Sequence, residues 1–297
     1  ENSFINYFNK NTEIYKGMKL IDEELGGTTP LEVILKFPKK ENEVKNIEDE
    51  EFDDGFEDEF ENAEEEILKA RESSVVGFIN VGTDIETSLD SIEKAKMFSD
   101  VWATAGVHPH EAQKGTEGLS ELLVDKNVVA VGEAGLDFHY DHSPRKAQKR
   151  VFAEQIQMAN ERELPLVIHT REAWEETFEI LDSEGVPEYT VFHCFTGGKV
   201  ESIECLDRGA YLSFSGIITF EKAESLREAA AQCPLERAMI ETDSPFLTPV
   251  PFRGKKNEPA NVVLVGKELA LLQDKKPKEV AQKTTQNAMK FYGLTQN

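Results

Sequence analysis

Long apolar runs are missing from this sequence of 297 residues, and so is any excess of positive charge. No apolar stretch reaches the roughly 18 residues that a membrane-spanning helix needs, which argues against stable membrane insertion. Lysine and arginine total 33 against 57 aspartates and glutamates, a formal net charge of −24. This balance excludes a nucleic-acid binder that works through a broad basic surface. A polyanionic substrate would have to be held through metal ions and a few arginines.

Cysteine is also scarce. The three cysteines, Cys194, Cys205 and Cys233, form no paired or closely spaced pattern. An odd number without a disulfide framework is typical of a reducing compartment, so we expect a cytoplasmic protein. The simplest interpretation of each cysteine is a small buried hydrophobic residue.

The negative charge is concentrated in one segment. Residues 41–66 contain 15 acidic residues against a single lysine. Such a block repels itself and has little to bury, which predicts a solvated linker. Apolar residues fall loosely at helical spacing over residues 56–71, so the end of this segment can form a helix. The chain is thereby divided into an N-terminal segment (1–40), an acidic linker (41–66) and a main domain (67–297).

The main domain alternates short apolar runs with helical patterns. Seven runs predict strands at 75–81, 101–107, 128–137, 166–169, 189–193, 211–215 and 238–243. This alternation predicts a parallel sheet with right-handed crossovers. About 230 residues at this spacing fit a TIM-barrel-like (β/α) barrel, and no glycine-rich dinucleotide turn is present. A closed eight-stranded barrel needs one more strand, so we expect its first strand to be missing or replaced.

Four of these strands end in a carboxylate or an imidazole. Glu133, His169, His193 and Asp243 each follow an apolar run. Parallel barrels build their active sites at the carboxyl ends of the strands. Glu, His and Asp side chains meeting there have the donor types that a divalent metal site needs.

Several motifs resemble one family in their order and spacing. They are Gly-Val-His-Pro-His at 106–110, Val-Gly-Glu-Ala-Gly-Leu-Asp at 131–137, Ile-His-Thr-Arg at 168–171, Phe-His-Cys-Phe-Thr-Gly at 192–197, Ser-Phe-Ser-Gly at 213–216 and Glu-Thr-Asp-Ser-Pro at 241–245. Arg-Gly at 253–254 and Asn-Glu-Pro at 257–259 also match. Over about residues 66–297 the sequence resembles the TatD family of metal-dependent deoxyribonucleases.

The resemblance implies a TIM barrel with a two-metal site. Glu133 would bridge the two cations, His169 and His193 would hold one of them, and Asp243 would hold the other. Mg, Mn and Zn all suit a mixed histidine and carboxylate site. Two cations close together can stabilise both the attacking and the leaving oxygen when a phosphodiester bond is cleaved. Glu133 and Asp243 are the expected catalytic residues, and Asp243 can accept a proton from the attacking water.

Four further side chains are expected to contact phosphate. They are His108, Arg145, Arg171 and Arg253. A guanidinium group binds phosphate through two parallel hydrogen bonds, which is why arginine suits this role.

One part of the family pattern is absent. Family members begin with a strand that ends in His-x-His, and both histidines hold a metal. Here no histidine precedes His108, and the His-Pro-His at 108–110 matches a later motif. We therefore expect the cation site of Asp243 to be incomplete and the activity to be reduced. About residues 1–40 instead resemble a segment of RND-superfamily exporters, and residues 31–37 could supply a substitute strand that lacks ligands.

The predicted function is metal-dependent cleavage of phosphodiester bonds in DNA, with DNA as substrate and a monomeric chain. Two alternatives stay open at this point. The same scaffold can hydrolyse a small ester, lactone or amine, because fold does not fix function. The chain can also be an inactive truncated or fused barrel.

Overall fold

The computed structural model describes residues 34–35 and 55–294, and side chains are described from residue 63 onward. Within these residues eight parallel strands form one sheet, and each strand pairs with the next along the chain. The strands are β1 (Ile34–Leu35), β2 (Phe78–Val81), β3 (Val101–Ala105), β4 (Val128–Asp137), β5 (Leu166–Arg171), β6 (Thr190–Phe192), β7 (Tyr211–Phe214) and β8 (Ala238–Ile240). Strands β2 to β8 confirm the seven predicted strands and the TIM-barrel-like fold.

Helices connect the strands, as the alternation predicted. They are α1 (Gly55–Glu72), α2 (Ile85–Met97), α3 (Leu119–Leu122), α4 (Arg145–Arg162), α5 (Trp174–Glu184), α6 (Lys199–Asp207), α7 (Glu224–Gln232), α8 (Val262–Leu272) and α9 (Pro277–Phe291). Short 3₁₀ turns lie at Pro109–Lys114, Gly216–Thr219, Leu235–Arg237 and Pro259–Asn261. Among the described helices, none is both long and apolar enough to cross a bilayer.

Strand β1 takes the place next to β2 that the first strand of a barrel would occupy. Its two residues pair with Ile79 and Asn80 of β2. It falls within residues 31–37, which were predicted as a poor substitute for the first strand. The sequence that follows it, Lys-Phe-Pro-Lys-Lys at 36–40, contains no histidine or carboxylate. The rest of the segment that was expected to resemble an exporter, residues 1–33 and 36–40, lies outside the described residues.

Helix α1 begins inside the stretch that was predicted as an acidic linker. Ala63, Ile67 and Ala70 recur at helical spacing and are buried, so this part of the helix has an apolar face that packs on the barrel. The Arg71 guanidinium also binds the Asp100 carboxylate through two hydrogen bonds. The helix that was predicted near residues 56–71 is confirmed, and it reaches into the linker because its apolar face has somewhere to pack.

Two apolar clusters flank the sheet. The larger one lies between the strands and the surrounding helices. The smaller one fills the interior with side chains such as Val167, Val191 and Met239, and it includes Phe291 and Tyr292 from the end of α9. Because one face of each strand is buried by helices and the other by the interior, the polar side chains at the strand ends are exceptional.

Candidate metal centre

The predicted metal ligands His169, on β5, and His193, directly after β6, face the interior of the barrel. Side chains alternate between the two faces of a strand. His169 and His193 each lie two residues after a valine of the interior cluster. Glu241 and Asp243 continue the same period after Met239 of β8. The alternation that fills the interior with apolar residues therefore also delivers these four polar groups to its carboxyl end.

Glu133 lies at the centre of this group. Its Oε1 atom is 2.9 Å from Nδ1 of His169, 3.5 Å from Nε2 of His193 and 3.7 Å from Nε2 of His108. Asp243 Oδ1 is 3.7 Å from the same Nε2 atom of His193. The structure thus brings together the four predicted metal ligands and one of the four predicted phosphate contacts.

Carboxylates orient both histidines from behind. His193 Nδ1 is 3.0 Å from Glu241 Oε2, and His169 Nε2 is 3.1 Å from Asp137 Oδ2. A carboxylate that accepts a hydrogen bond from one ring N–H keeps the proton on that nitrogen and leaves a lone pair on the other nitrogen, which here faces Glu133. Sequence reasoning gave no role to Glu241. The spacing of two residues between Glu241 and Asp243 was the available signal.

Asp137 is a fully buried carboxylate with several donors. Its Oδ1 accepts hydrogen bonds from the backbone N–H groups of His139 and Tyr140, and its Oδ2 lies 3.1 Å from Nε2 of both His169 and His110. Burial raises the pKa of Asp137, but the hydrogen bonds from His169, Tyr140 and His110 outweigh burial and hold the pKa well below its usual value. Asp137 therefore stays ionised and fixes the ring of His169.

His108 is oriented differently from the other two histidines. Its Nδ1 accepts a hydrogen bond from the backbone N–H of His110 at 3.2 Å. In the neutral imidazole the proton must then be on Nε2, which faces the centre. A nitrogen that carries a proton cannot bind a cation, so His108 is arranged to donate a hydrogen bond, although its Nε2 lies close enough to form a ligand group with Glu133 and His169.

Two residues of the centre have left-handed backbone conformations. Cys194 has φ = 43° and Asp243 has φ = 54°. L-residues adopt this region at an energetic cost, and such residues are concentrated at functional sites. Ligand atoms of Cys194, Asp243 and His193 all lie within 4.8 Å of one another.

The three predicted arginine contacts have different surroundings. Arg171 lines the cavity above the centre, and its guanidinium lies 4.8 Å from the centroid of the Tyr140 ring. Arg145 is not among the lining residues; it pairs with Asp141, which lies in the loop before α4, and its guanidinium lies over the Phe138 ring. Arg253 likewise does not line the cavity; its guanidinium lies over a neighbouring aromatic ring at 4.1 Å.

The centre lies at the bottom of an open cavity of about 990 Å³. Two aromatic residues on its wall, Tyr140 and Phe246, remain 50% and 58% exposed. Acidic side chains outnumber basic ones along the described wall: Asp90, Glu111, Asp137, Glu172 and Asp243 against Arg171. An anion entering this cavity would therefore meet repulsion unless cations neutralise the carboxylates.

The donor set fits a divalent metal. Glu133 and His193 are buried, and the ligand nitrogens of His193 and His169 lie 3.5 Å and 2.9 Å from the same Glu133 oxygen. Imidazole nitrogens and carboxylate oxygens suit Mn and Zn, while Mg takes mainly oxygen. Metal-binding histidines commonly donate their second ring N–H to a carboxylate, and both histidines have such a carboxylate here.

Comparison with known proteins agrees with this geometry. The chain is 40% identical over 236 residues to the metal-dependent hydrolase YabD of Bacillus subtilis, covering 78% of this chain and 92% of that protein. It is 34% identical over 243 residues to the 3'-5' ssDNA/RNA exonuclease TatD of Citrobacter rodentium, covering 78% of this chain and 92% of that protein.

A solved structure has the same architecture. The TatD homologue YJJV of Escherichia coli superposes with a TM-score of 0.75 at 26% identity, covering 79% of this chain and 93% of that one. The profile of the TatD related DNase family matches residues 48–293. The chain therefore belongs to the TatD family and is a metal-dependent hydrolase.

Proposed function

We propose that this hydrolase cleaves phosphodiester bonds at the ends of single-stranded DNA. The observation that carries the proposal is the convergence of Glu133, His169, His193 and Asp243 at the bottom of an open cavity with exposed aromatic walls. A relative that is 34% identical has the name 3'-5' ssDNA/RNA exonuclease. Its name supports the substrate class.

Glu133, His169 and His193 would hold one divalent cation, and Asp243 together with Glu133 would hold a second. Bound there, cations lower the pKa of water and stabilise the charge that develops on phosphate oxygens. The buried carboxylates behind the rings keep the lone pairs of both histidines directed at this position. Mg, Mn and Zn are the candidate metals.

The remaining groups have roles that follow from their positions. Asp243 is 8% exposed and lies on the cavity wall, where its carboxylate can accept a proton from an attacking water. His108 would donate its Nε2 proton to a phosphate oxygen, because its Nδ1 is already an acceptor. Arg171 would bind a phosphate nearer the cavity mouth.

The aromatic walls favour unpaired bases. Tyr140 and Phe246 are exposed and line the cavity, and base stacking on such rings contributes roughly 1–3 kcal/mol per base. Duplex DNA would add phosphates to an already acidic surface without exposing base faces. We therefore expect single strands to be cleaved faster than duplexes, and DNA binding to need divalent cations.

Without the His-x-His pair of the family pattern, the second cation has fewer ligands, and we expect a lower rate. Strand β1 brings no ligand to the centre, so Asp243 and Glu133 are the ligands left for the second cation by the family pattern. We propose that the second cation binds more weakly than the first and that activity is below that of an intact relative. Replacing residues 1–55 by a family-type strand ending in His-x-His should raise both cation affinity and rate, and no gain would contradict the missing-ligand explanation.

The direct test is cleavage of an end-labelled single-stranded oligonucleotide with Mg²⁺ or Mn²⁺. The expected result is cleavage that a chelator abolishes and that His169→Ala removes. His139→Ala is the matched control, because that imidazole is largely exposed and pairs with Glu172 rather than with the centre. A cooperatively folded protein that binds cations but leaves DNA intact would contradict the proposal.

One observation favours a second candidate, hydrolysis of a small ester or lactone. A cavity of about 990 Å³ with an acidic wall would accept a neutral small molecule without repulsion. Hydrolysis of a lactone panel without action on DNA would select this candidate. A folded chain that binds no divalent cation would select the third possibility, an inactive barrel.

A further inference from the structure

The cavity above the candidate metal centre is too small to hold a long single strand. Its volume of about 990 Å³ is that of a site for a drug-sized molecule, so it admits only a few nucleotides. The rest of a bound strand must leave over the rim and lie on the outer surface. Phe246 and Leu247 line the cavity, and residues 250–256, which follow them, are exposed and do not line it. We call residues 246–256, in the connection from β8 to α8, the rim loop.

The rim loop has the opposite charge to its surroundings. The whole chain has a net charge of −24, and the described cavity wall has five acidic residues against one arginine. The rim loop, by contrast, contains no acidic residue and three exposed basic ones: Arg253, Lys255 and Lys256. An anion that is repelled by the carboxylates of the wall is therefore attracted just beyond the rim.

Two of these basic side chains contact aromatic rings. The Lys255 ammonium lies 5.5 Å from the centroid of the Phe252 ring, and the Arg253 guanidinium lies 4.1 Å from the centroid of the Phe220 ring. Neither cation forms an ion pair with a carboxylate of the described part of the chain. A ring orients a cation without neutralising its charge, so both charges stay available to a phosphate. Phe252 itself is 38% exposed, which leaves part of its ring open to a ligand.

Hydrogen bonds tie the rim loop together. The side chain of Asn257, which is fully buried, donates hydrogen bonds to the carbonyl groups of Thr242 and Phe246 and so fixes the base of the loop. Within the loop, the Thr248 hydroxyl donates a hydrogen bond to the carbonyl group of Lys255. The cations and the ring are thus positioned before a ligand arrives, which lowers the cost of ordering them on binding.

We propose that the rim loop binds the part of a single DNA strand that continues beyond the cavity. Phe252 stacks on a base, while Lys255 and Arg253 bind neighbouring phosphates. Every base offers a face for stacking, so this surface adds affinity without sequence preference. The inference rests on the proposed function for the identity of the ligand, and it adds a binding surface outside the cleavage site. Its consequence is that a longer single strand binds more tightly than one that fits inside the cavity.

The first measurement uses the unchanged chain and two fluorescently labelled ligands, a dinucleotide and a single strand of about six nucleotides. Phosphorothioate linkages slow their cleavage, and fluorescence anisotropy in Mn²⁺ measures their binding. The dinucleotide is confined to the cavity, whereas the longer strand also reaches the rim loop. The longer strand should bind at least about tenfold more tightly, because one stacked base contributes roughly five- to a hundredfold. Equal affinities for the two ligands would overturn the inference.

Substitutions then assign this difference to the rim loop. Lys255→Gln should reduce the slope of log affinity against log salt by about 0.7 for the longer strand, which is the share of one phosphate contact. Lys256→Gln is the matched control, because it removes the same charge from the next residue, whose ammonium is already paired with Glu66 at 2.6 Å. Phe252→Ala should weaken binding of the longer strand roughly five- to a hundredfold, and Phe252→Tyr, which keeps the ring, should bind it like the unchanged chain.

The dinucleotide should bind all these variants equally well, because none of the substituted residues lines the cavity. Equal losses for both ligands, or an unchanged salt slope in Lys255→Gln, would overturn the inference and leave the proposed cleavage of DNA standing. A chain that shows the expected binding but leaves unmodified DNA intact would instead overturn the proposed function alone. Where a variant does not unfold cooperatively, the comparison of the two ligands on the unchanged chain still decides the question.

Discussion

Glu241 gives the sharpest prediction, because it would act on the proposed metal centre without contacting the cation. The carboxylate is fully buried and lies 2.9 Å from Nδ1 of His193. It selects the tautomer in which Nε2 keeps its lone pair for the metal. Substituting such an orienting group typically lowers metal affinity 10–100-fold, or roughly 1.4–2.8 kcal/mol.

Two substitutions at this position are expected to give the lower and the upper end of this loss in metal affinity. Glu241→Gln keeps an oxygen acceptor but loses the charge, and a neutral hydrogen bond is about half as strong, so the dissociation constant for Mn²⁺ should rise about tenfold. Glu241→Leu leaves Nδ1 without an acceptor in a buried position, and the rise should approach a hundredfold. His193 remains present in both variants, so the loss does not come from removing a metal ligand.

Calorimetric titration of the metal-free proteins with Mn²⁺ measures these constants, after a cooperative thermal transition has been verified for each. Glu236→Gln is the matched control, because it removes the same charge from a largely exposed side chain. Affinities that stay within about twofold of the unchanged protein in both Glu241 variants would refute the orienting role.

Further predictions concern stability. Gly135→Ala should destabilise the fold by roughly 3 kcal/mol or more, because φ is 147° there and a Cβ would collide with a carbonyl oxygen of β5, whereas Gly209→Ala, in open space, should cost about 1 kcal/mol; equal losses in denaturant unfolding would contradict this. Phe152→Ala should cost about 3–5 kcal/mol because the ring is fully buried, and a loss below 1 kcal/mol would contradict its place in the core. The Arg208 guanidinium lowers the pKa of Asp182, so their half-exposed pair should contribute at most about 1 kcal/mol at neutral pH. That contribution should disappear as the pH falls from about 4 through the lowered pKa, and an unchanged acid transition in Asp182→Asn would contradict it.

The strands and their ends were predictable because period and position follow from local sequence. A strand shows one face to the interior and the other to the helices, so His169 and His193 had to lie on the face of the interior valines. Their convergence with Glu133 follows from parallel pairing, which aligns the carboxyl ends of neighbouring strands. The seven strands of the main domain were predicted for the same reason.

The orienting carboxylates were harder to predict because their roles depend on distances between strands. Glu241 is 48 residues from His193 in sequence and in contact with it in space.

The arginine contacts were hard to predict for another reason, because a partner near in sequence can bind the side chain first. Arg145 was expected to contact phosphate from its residue type, yet Asp141 lies four residues earlier on the chain and pairs with it. A carboxylate this near in sequence was visible beforehand, and it forms a local ion pair with the guanidinium.

The boundary between the acidic linker and the main domain could not be predicted from composition alone, because a few buried apolar residues outweigh the many acidic ones. The density of acidic residues predicted a solvated linker up to residue 66, but Ala63 and Ile67 are buried and the helix begins at Gly55. A few apolar residues at the correct spacing are enough to hold a charged helix on a barrel, because its acidic side chains can face solvent.

The central claim is that the residual ligands form a working cation centre without the His-x-His strand. Equilibrium dialysis of the folded chain against Mn²⁺ tests it most directly, with His169→Ala and His139→Ala measured in parallel. We predict one tightly bound cation in the unchanged protein and in His139→Ala, and its loss in His169→Ala. A folded protein that retains no Mn²⁺, or a His169→Ala variant that binds it equally well, would contradict the claim.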